Sequence, residues 1–255
     1  MDKADFSYRT GAKLRSLTGY SVILGRRLRN IFSFHKAERE LNQLLVGYPH
    51  NHNYSIGRKN LWPGFQLYER DRLVTPLIPE DCKSFLDIGS CKGYYVLRTA
   101  MRCRCQVSAG IDIHEPFIAT SQKVGEYLGV RNARFYLSDL EQLSSNPEAF
   151  GGPFQVVLLI GTYQYLFWGS GLNMKAFYSH EEILSRLSKV CTQRIIFSAR
   201  LEADWLSGGI KEKARLLKKK IPYSTAHFLE AAGRYFQIQK AGYLGKYPLF
   251  LMMKK

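Results

Sequence analysis

An α/β fold, with a mostly parallel seven-stranded sheet closed by an antiparallel C-terminal edge hairpin, is predicted by three observations. From Ser84 onward, short β-rich runs alternate with helical segments, which implies βαβ units with helices on both faces of a parallel sheet. Two strand-like runs then follow one another at the end of the chain with no helix between them. Finally, 255 residues that are 45% apolar bury one sizeable core with room for appendages.

In chain order, residues 1–45 are rich in Lys and Arg, with Leu14, Leu17, Ile23, Leu28 and Ile31 at helix-like intervals. They read as one or two amphipathic helices. "VGYPHNHNYSIGRKNLWPGFQ" (46–66) is dense in turn formers and reads as a linker, and "LYERDRLVTPLI" (67–78) as a short helix. The expected division is a basic helical extension over 1–75 and the main domain over 76–255. Within that domain the strands are "SFLDIG", "QVSAGIDI", "ARFYLSD", "FQVVLLIG", "RIIFSAR", "FQIQKAGYL" and "YPLFLMMKK". The helices are "YYVLRTAMR", "EPFIATSQKVGEYLG", "HEEILSRLSKV" and "TAHFLEAAGRY".

A formal charge of +16 favours an anionic partner: nucleic acid, an anionic membrane surface or a phosphorylated substrate. Cys82, Cys91, Cys103, Cys105 and Cys191 lack the paired spacing of a zinc site and the even count of a disulfide framework. They read as reduced thiols of a cytoplasmic protein. The longest apolar run, Val156 to Ile160, is far short of the roughly 20 residues of a membrane helix. "RRLRN" after the apolar-tinted "SLTGYSVILG" argues against a signal peptide. A peripheral contact with an anionic membrane stays open.

"FLDIGSCKGYY" (85–95) turns from the first strand into a helix, where doubly wound folds bind ligands. Gly89 and Gly93 can take positive φ, and a missing Cβ lets a ligand approach the backbone. The spacing is G-x-x-x-G, not the G-x-G-x-x-G of dinucleotide loops, and Asp87 stands just before it. A carboxylate there repels a pyrophosphate and suits a cofactor carrying an ammonium and a sulfonium. Asp112 ends the next strand, where an acid accepts hydrogen bonds from ribose hydroxyls. Ser138 and Asp139 end the third, beside an adenine. Asp112 and Asp139 also read as helix N-caps. Cys91 reads as a small residue in a tight loop in preference to a nucleophile, which would need a lowered pKa.

On these motifs residues 84–255 resemble the class I S-adenosylmethionine-dependent methyltransferases, whose Rossmann-like sheet has the predicted arrangement. "FLDIGSCKGYY" is similar to the family's first motif, "GIDIHEP" to its ribose-binding acid and "SDLEQL" to its adenine-side motif. "FQVVLLIGTYQYL" is similar to its fourth strand and following loop. The resemblance implies S-adenosylmethionine as cofactor. It places Asp87, Gly89 and Gly93 around the methionine end, Asp112 at the ribose and Asp139 with Leu140 at the adenine. Ser90, Ile113, Ser138 and Gly161 complete the expected cofactor contacts. Cys91 departs from the family, standing where a middle glycine is usual. Residues 161–169, "GTYQYLFWG", fall where the family lines its acceptor pocket, so Tyr163, Gln164 and Tyr165 are the candidate catalytic, acceptor-facing residues. The alternative is that Tyr163, Tyr165 and Phe167 pack under the loop.

Methyl transfer relies on holding the acceptor near attack distance, and a base is needed only for acceptors that lose a proton. His180 is a candidate base, although a surface histidine at a helix start is the commoner meaning. His50 and His52 mark a polar loop, and no metal is expected. "GIKEKARLLKKK" (209–220) puts six cations against one acid near the pocket side of the sheet. With Arg26, Arg27 and Arg29 it would grip phosphates, or form a solvated helix face. A helix with spaced arginines (Arg70, Arg72) before the motif loosely resembles the tRNA wobble-uridine carboxymethyl transferases, whose "YHR" loop is absent. The expectation is an enzyme methylating an oxygen or nitrogen of a small-molecule or glycan-type acceptor. RNA methylation and a non-catalytic binding protein are the alternatives.

Overall fold

The computed structural model describes residues 36–173, 175–217 and 219–255. The helical spacing over residues 1–35, Arg26, Arg27 and Arg29 included, lies outside them. The chain divides into two compact units, Met1–Arg72 and Leu73–Lys255.

In the first unit, α1 (Lys36–Leu44) is followed by a hairpin of β1 (Tyr54–Gly57) and β2 (Asn60–Pro63). The segment read as a linker is therefore partly sheet. Its two-residue turn has Arg58 and Lys59 at φ 51° and 58°, the left-handed pair that a twisted hairpin demands. Asn42 of α1 supports it: the buried amide donates to Ile56 O at 2.9 Å and accepts from Ile56 N at 2.8 Å, as a neighbouring strand would. α2 (Phe65–Val74) runs through the boundary between the units.

The second unit is the predicted sheet. Its strands are β3 (Ser84–Ile88), β4 (Val107–Asp112), β5 (Ala133–Leu137), β6 (Phe154–Ile160), β7 (Cys191–Ser198), β8 (Phe236–Leu244) and β9 (Tyr247–Lys254). Their order is β5-β4-β3-β6-β7-β9-β8. Strands β3 to β7 are parallel, and β9 lies antiparallel to both β7 and β8. Strands buried on both faces should be continuously apolar, and the inner residues of β6, Val156 to Leu159, are buried without a break.

The helices are α3 (Tyr94–Arg102), α4 (Glu115–Leu128), α5 (Leu140–Ser145), α6 (Tyr163–Trp168), α7 (His180–Val190), α8 (Gly208–Leu217) and α9 (Thr225–Ala232). α3, α4, α7 and α9 are the expected crossover helices. α6 replaces an expected loop, and the basic run 209–220 is largely the helix α8. Strand order reverses between β3 and β6, so the carboxyl ends of these two strands flank the switch point where ligands bind in open α/β sheets. Among the described residues no helix is long and apolar enough to cross a membrane.

Candidate functional site

At the carboxyl end of β3 the backbone turns left-handed three times, at Gly89 (φ 76°), Cys91 (φ 50°) and Gly93 (φ 76°). Cys91 thus stands where glycine would be free of strain. The chain fills the space beside the two glycines. A Cβ on Gly89 would overlap Thr162 Oγ1, and one on Gly93 would come within 2.7 Å of the Phe135 ring and 2.8 Å of Ser121 Oγ. Their missing side chains admit protein neighbours, where the sequence suggested a ligand.

The loop amides are also committed. Gly89 N and Ser90 N donate to Ile111 O at 2.9 and 3.0 Å, and Gly93 N to Ser90 O at 2.9 Å. Cys91 N donates to Asp112 Oδ2 at 2.9 Å. A pyrophosphate loop must present such N–H groups to its ligand, and these four are turned inward.

Asp112 ends β4, half-buried, and Oδ1 accepts from His114 N at 2.9 Å. Burial raises its pKa, opposed by the N–H groups of His114 and Cys91. Each carboxylate oxygen keeps a second lone pair for a further donor. Beside it, Ile113 (39% exposed) and Leu137 (54%) present apolar surface at neighbouring strand ends. Ser138 N donates to Asp112 O, tying the ends of β4 and β5 together. Asp87 is buried at the end of β3.

Asp139 is the N-cap of α5. It accepts from Gln142 N at 2.9 Å while Gln142 Oε1 accepts from Asp139 N at 3.3 Å and from Ser138 Oγ at 3.0 Å. That reciprocal pair is a capping box. Leu140 turns its side chain into the core. Burial pushes the Cys91 thiol up to about 12, with Asp112 adding to the effect. A thiol so perturbed is protonated near neutrality and is not a nucleophile.

Across the switch point, α6 divides the three acceptor-facing candidates. Tyr163 is fully buried, with its hydroxyl 2.7 Å from His180 Nδ1 and its ring edge-on to Phe197 and Phe228, each 5.3 Å away. It packs the core and is withdrawn from any acceptor. His180 is likewise buried, not on the surface, in a cage with Phe167 and Tyr223. Burial, and secondarily His227, lowers its pKa to about 4, so the ring is neutral. Gln164 is buried too. Nε2 donates to Gly161 O at 2.5 Å and Oε1 has no partner.

Tyr165 is 40% exposed. It opens onto a cleft of about 490 Å³ lined by Trp168, Ser170, Ser207, Ile210 and Lys213 as well. Lys213 Nζ donates to Trp168 O at 2.7 Å, fastening α8 to α6, and Arg200 Nη1 donates to Ser207 Oγ at 2.7 Å. The sequence reading put the segments of Thr162, Trp168, Ile210 and Lys213 at the pocket without singling these residues out, and it missed Ser170 and Ser207. Their one signal was position, in the segments following β6 and β7.

No family model matches the chain, and no curated protein matches it. Among solved structures it superposes on EvdMO1 with a TM-score of 0.53 at 14% identity, over 85% of this chain and 46% of that one. On the bifunctional kinase-methyltransferase WbdD the TM-score is 0.50 at 15% identity, over 73% and 38%. Magnesium protoporphyrin IX methyltransferase (ChlM) from Synechocystis PCC 6803, solved with bound SAM, gives 0.47 at 18% identity, over 74% and 80%. The aligned region spans less than half the length of EvdMO1 and of WbdD. At these identities the likeness is one of fold, and the fold is the Rossmann-like class I methyltransferase fold.

Proposed function

We propose that the chain is an S-adenosylmethionine-dependent methyltransferase acting on an oxygen or nitrogen of a small-molecule or glycan-type acceptor. The observation that carries this reading is the inward-turned glycine loop at the end of β3 with Asp112 facing it from β4. Four committed loop amides leave no cradle for a pyrophosphate. A carboxylate with free lone pairs beside exposed Ile113 and Leu137 fits a ribose and a flat apolar base. Asp112 would hold the ribose hydroxyls, Ile113 and Leu137 the adenine faces, and Asp87 the methionine end. Ser90, Gly93, Ser138 and Gly161 frame the same strand ends.

When bound, the cofactor supplies a methyl carbon already activated on a sulfonium. The chain's own part is then to orient the acceptor and exclude water. Tyr165, on the wall of the cleft beyond β6, is the candidate for acceptor contact. Gln164, with its unpartnered Oε1, lies one residue before it on α6. Five free cysteines support a cytoplasmic setting.

An RNA acceptor is the second reading, favoured by the cations of α8 beside the cleft, where among 209–217 only Arg215 has a carboxylate partner, Glu212 at 2.9 Å. A gel-shift series with bulk tRNA separates the two, since tight binding that weakens steeply with salt is expected only of the second. Calorimetry with S-adenosylmethionine and its demethylated product tests both. Saturable heat is expected, and its absence would leave a non-catalytic protein of this fold.

A further inference from the structure

Three of the five thiols gather at the amino-terminal end of the sheet, opposite the candidate site. Cys82 precedes β3, while Cys103 and Cys105 lie in the turn from α3 into β4. The register that sets Ser84 against Val107 and Asp87 against Gly110, carried back two residues, sets Cys82 against Cys105. The regular ladder stops at Ser84, with Lys83 N donating to Gln155 Oε1 and Cys105 O accepting from Asn132 Nδ2, but Gln106 N donates to Lys83 O at 2.8 Å and holds the two segments side by side. Directly opposed residues of neighbouring strands have Cα atoms about 4.8 Å apart, inside the range of roughly 4.4–6.8 Å that a disulfide spans. Cys105 Sγ lies 3.5 Å from Lys83 O, the carbonyl next to Cys82, while Cys82 Sγ donates to Ser84 O at 3.4 Å. Cys103 is turned away, its Sγ 3.4 Å from Pro79 O.

We propose that Cys82 and Cys105 form a peroxide-oxidisable dithiol, a modification site that closes the chain around the glycine loop and α3 as a disulfide. The two thiols are unequal. The neighbouring Cys82 thiol lowers the Cys105 pKa, while Cys105 and burial raise that of Cys82. Cys105 is also the more accessible, 8% exposed against none for Cys82.

Cys105 therefore attacks first. Its thiolate sulfur bonds to one oxygen of hydrogen peroxide, the O–O bond breaks and hydroxide leaves, so that sulfur is oxidised to sulfenic acid and peroxide is reduced. The sulfur of Cys82 then displaces that oxygen. The S–S bond forms, the S–O bond breaks, and water departs carrying the Cys82 proton.

The test is peroxide treatment of the full chain, blocking of free thiols by alkylation, and tryptic mapping without reductant. Cleavage after Lys83, Arg102, Arg104 and Lys123 puts Cys82, Cys103 and Cys105 on three separate peptides. The expected product joins peptide 73–83 to peptide 105–123, with Cys103 alkylated, and is reversed by dithiothreitol. Its Tm should exceed that of the reduced chain, because the bond closes a loop in the unfolded state. Cys103→Ser should leave the link intact. In Cys82→Ser, dimedone should trap a sulfenic acid on Cys105. A link through Cys103, recovery of Cys82 and Cys105 both alkylated, or no dimedone adduct in Cys82→Ser would overturn the proposal.

Discussion

The two sides of the switch point are built differently. On the β3–β4–β5 side, backbone groups and carboxylates define the surface: left-handed Gly89, Cys91 and Gly93, their inward amides, and Asp112 closing the loop. On the β6–β7 side, aromatic packing defines it, with Tyr163, Phe167, His180 and Tyr223 locked together and Tyr165 and Trp168 facing the cleft. Hydrogen-bonded backbone fixes a binding geometry that few substitutions at neighbouring positions would move. An aromatic cluster fixes a wall whose outward residue can change while the inner ones cannot. The first kind of surface suits an invariant cofactor and the second a variable acceptor.

Substitutions along α6 would break this contrast most visibly. Phe167→Ala removes a fully buried ring, and a loss of about 3–5 kcal/mol is expected in denaturant unfolding. Tyr165→Ala should stay within about 0.5 kcal/mol of wild type while lowering methyl transfer. Equal stability losses at both positions would show that α6 has no inner and outer face.

His180 gives the next largest effect. Its folded pKa of about 4 lies below its ordinary value of 6.5, so the unfolded chain takes up the proton first as pH falls. Stability is full above about pH 6.5 and is lost progressively between there and about pH 4, by about 3 kcal/mol at most. His180→Phe should flatten that part of the stability–pH curve. An unchanged curve would place the titration elsewhere.

Asp139→Ala tests the smallest feature. Loss of the capping box should cost about 1 kcal/mol, with cofactor affinity changing less than for Asp112→Ala. A larger effect on affinity than on stability would make Asp139 a ligand before it is a cap.

The sequence spoke more clearly for one side than for the other. Strand–helix alternation and acids at three successive strand ends are local signals, and β3 to β5 with Asp112 could be read directly. The stretch 161–169 misled because Tyr163, Tyr165 and Phe167 alternate as in a strand or loop. In the helix that forms, burial follows Tyr163, Gln164, Phe167 and Trp168, a spacing of one turn. The hairpin at 54–63 was hidden because its left-handed turn is made by Arg58 and Lys59 without the glycine or asparagine that usually announces it. That the two glycines make room for Thr162, Phe135 and Ser121, and that Cys105 comes to lie against the Cys82–Lys83 segment, are consequences of packing that no local pattern carries.

The division of labour across the switch point is tested most directly by calorimetric titration of S-adenosylmethionine into the wild type, Asp112→Ala and Tyr165→Ala. Asp112→Ala should weaken binding by about 1–3 kcal/mol, roughly fivefold to 150-fold, and Tyr165→Ala should leave it unchanged. Unchanged affinity in Asp112→Ala, or an equal loss in Tyr165→Ala, would contradict the placement of the cofactor on the β3–β4–β5 side.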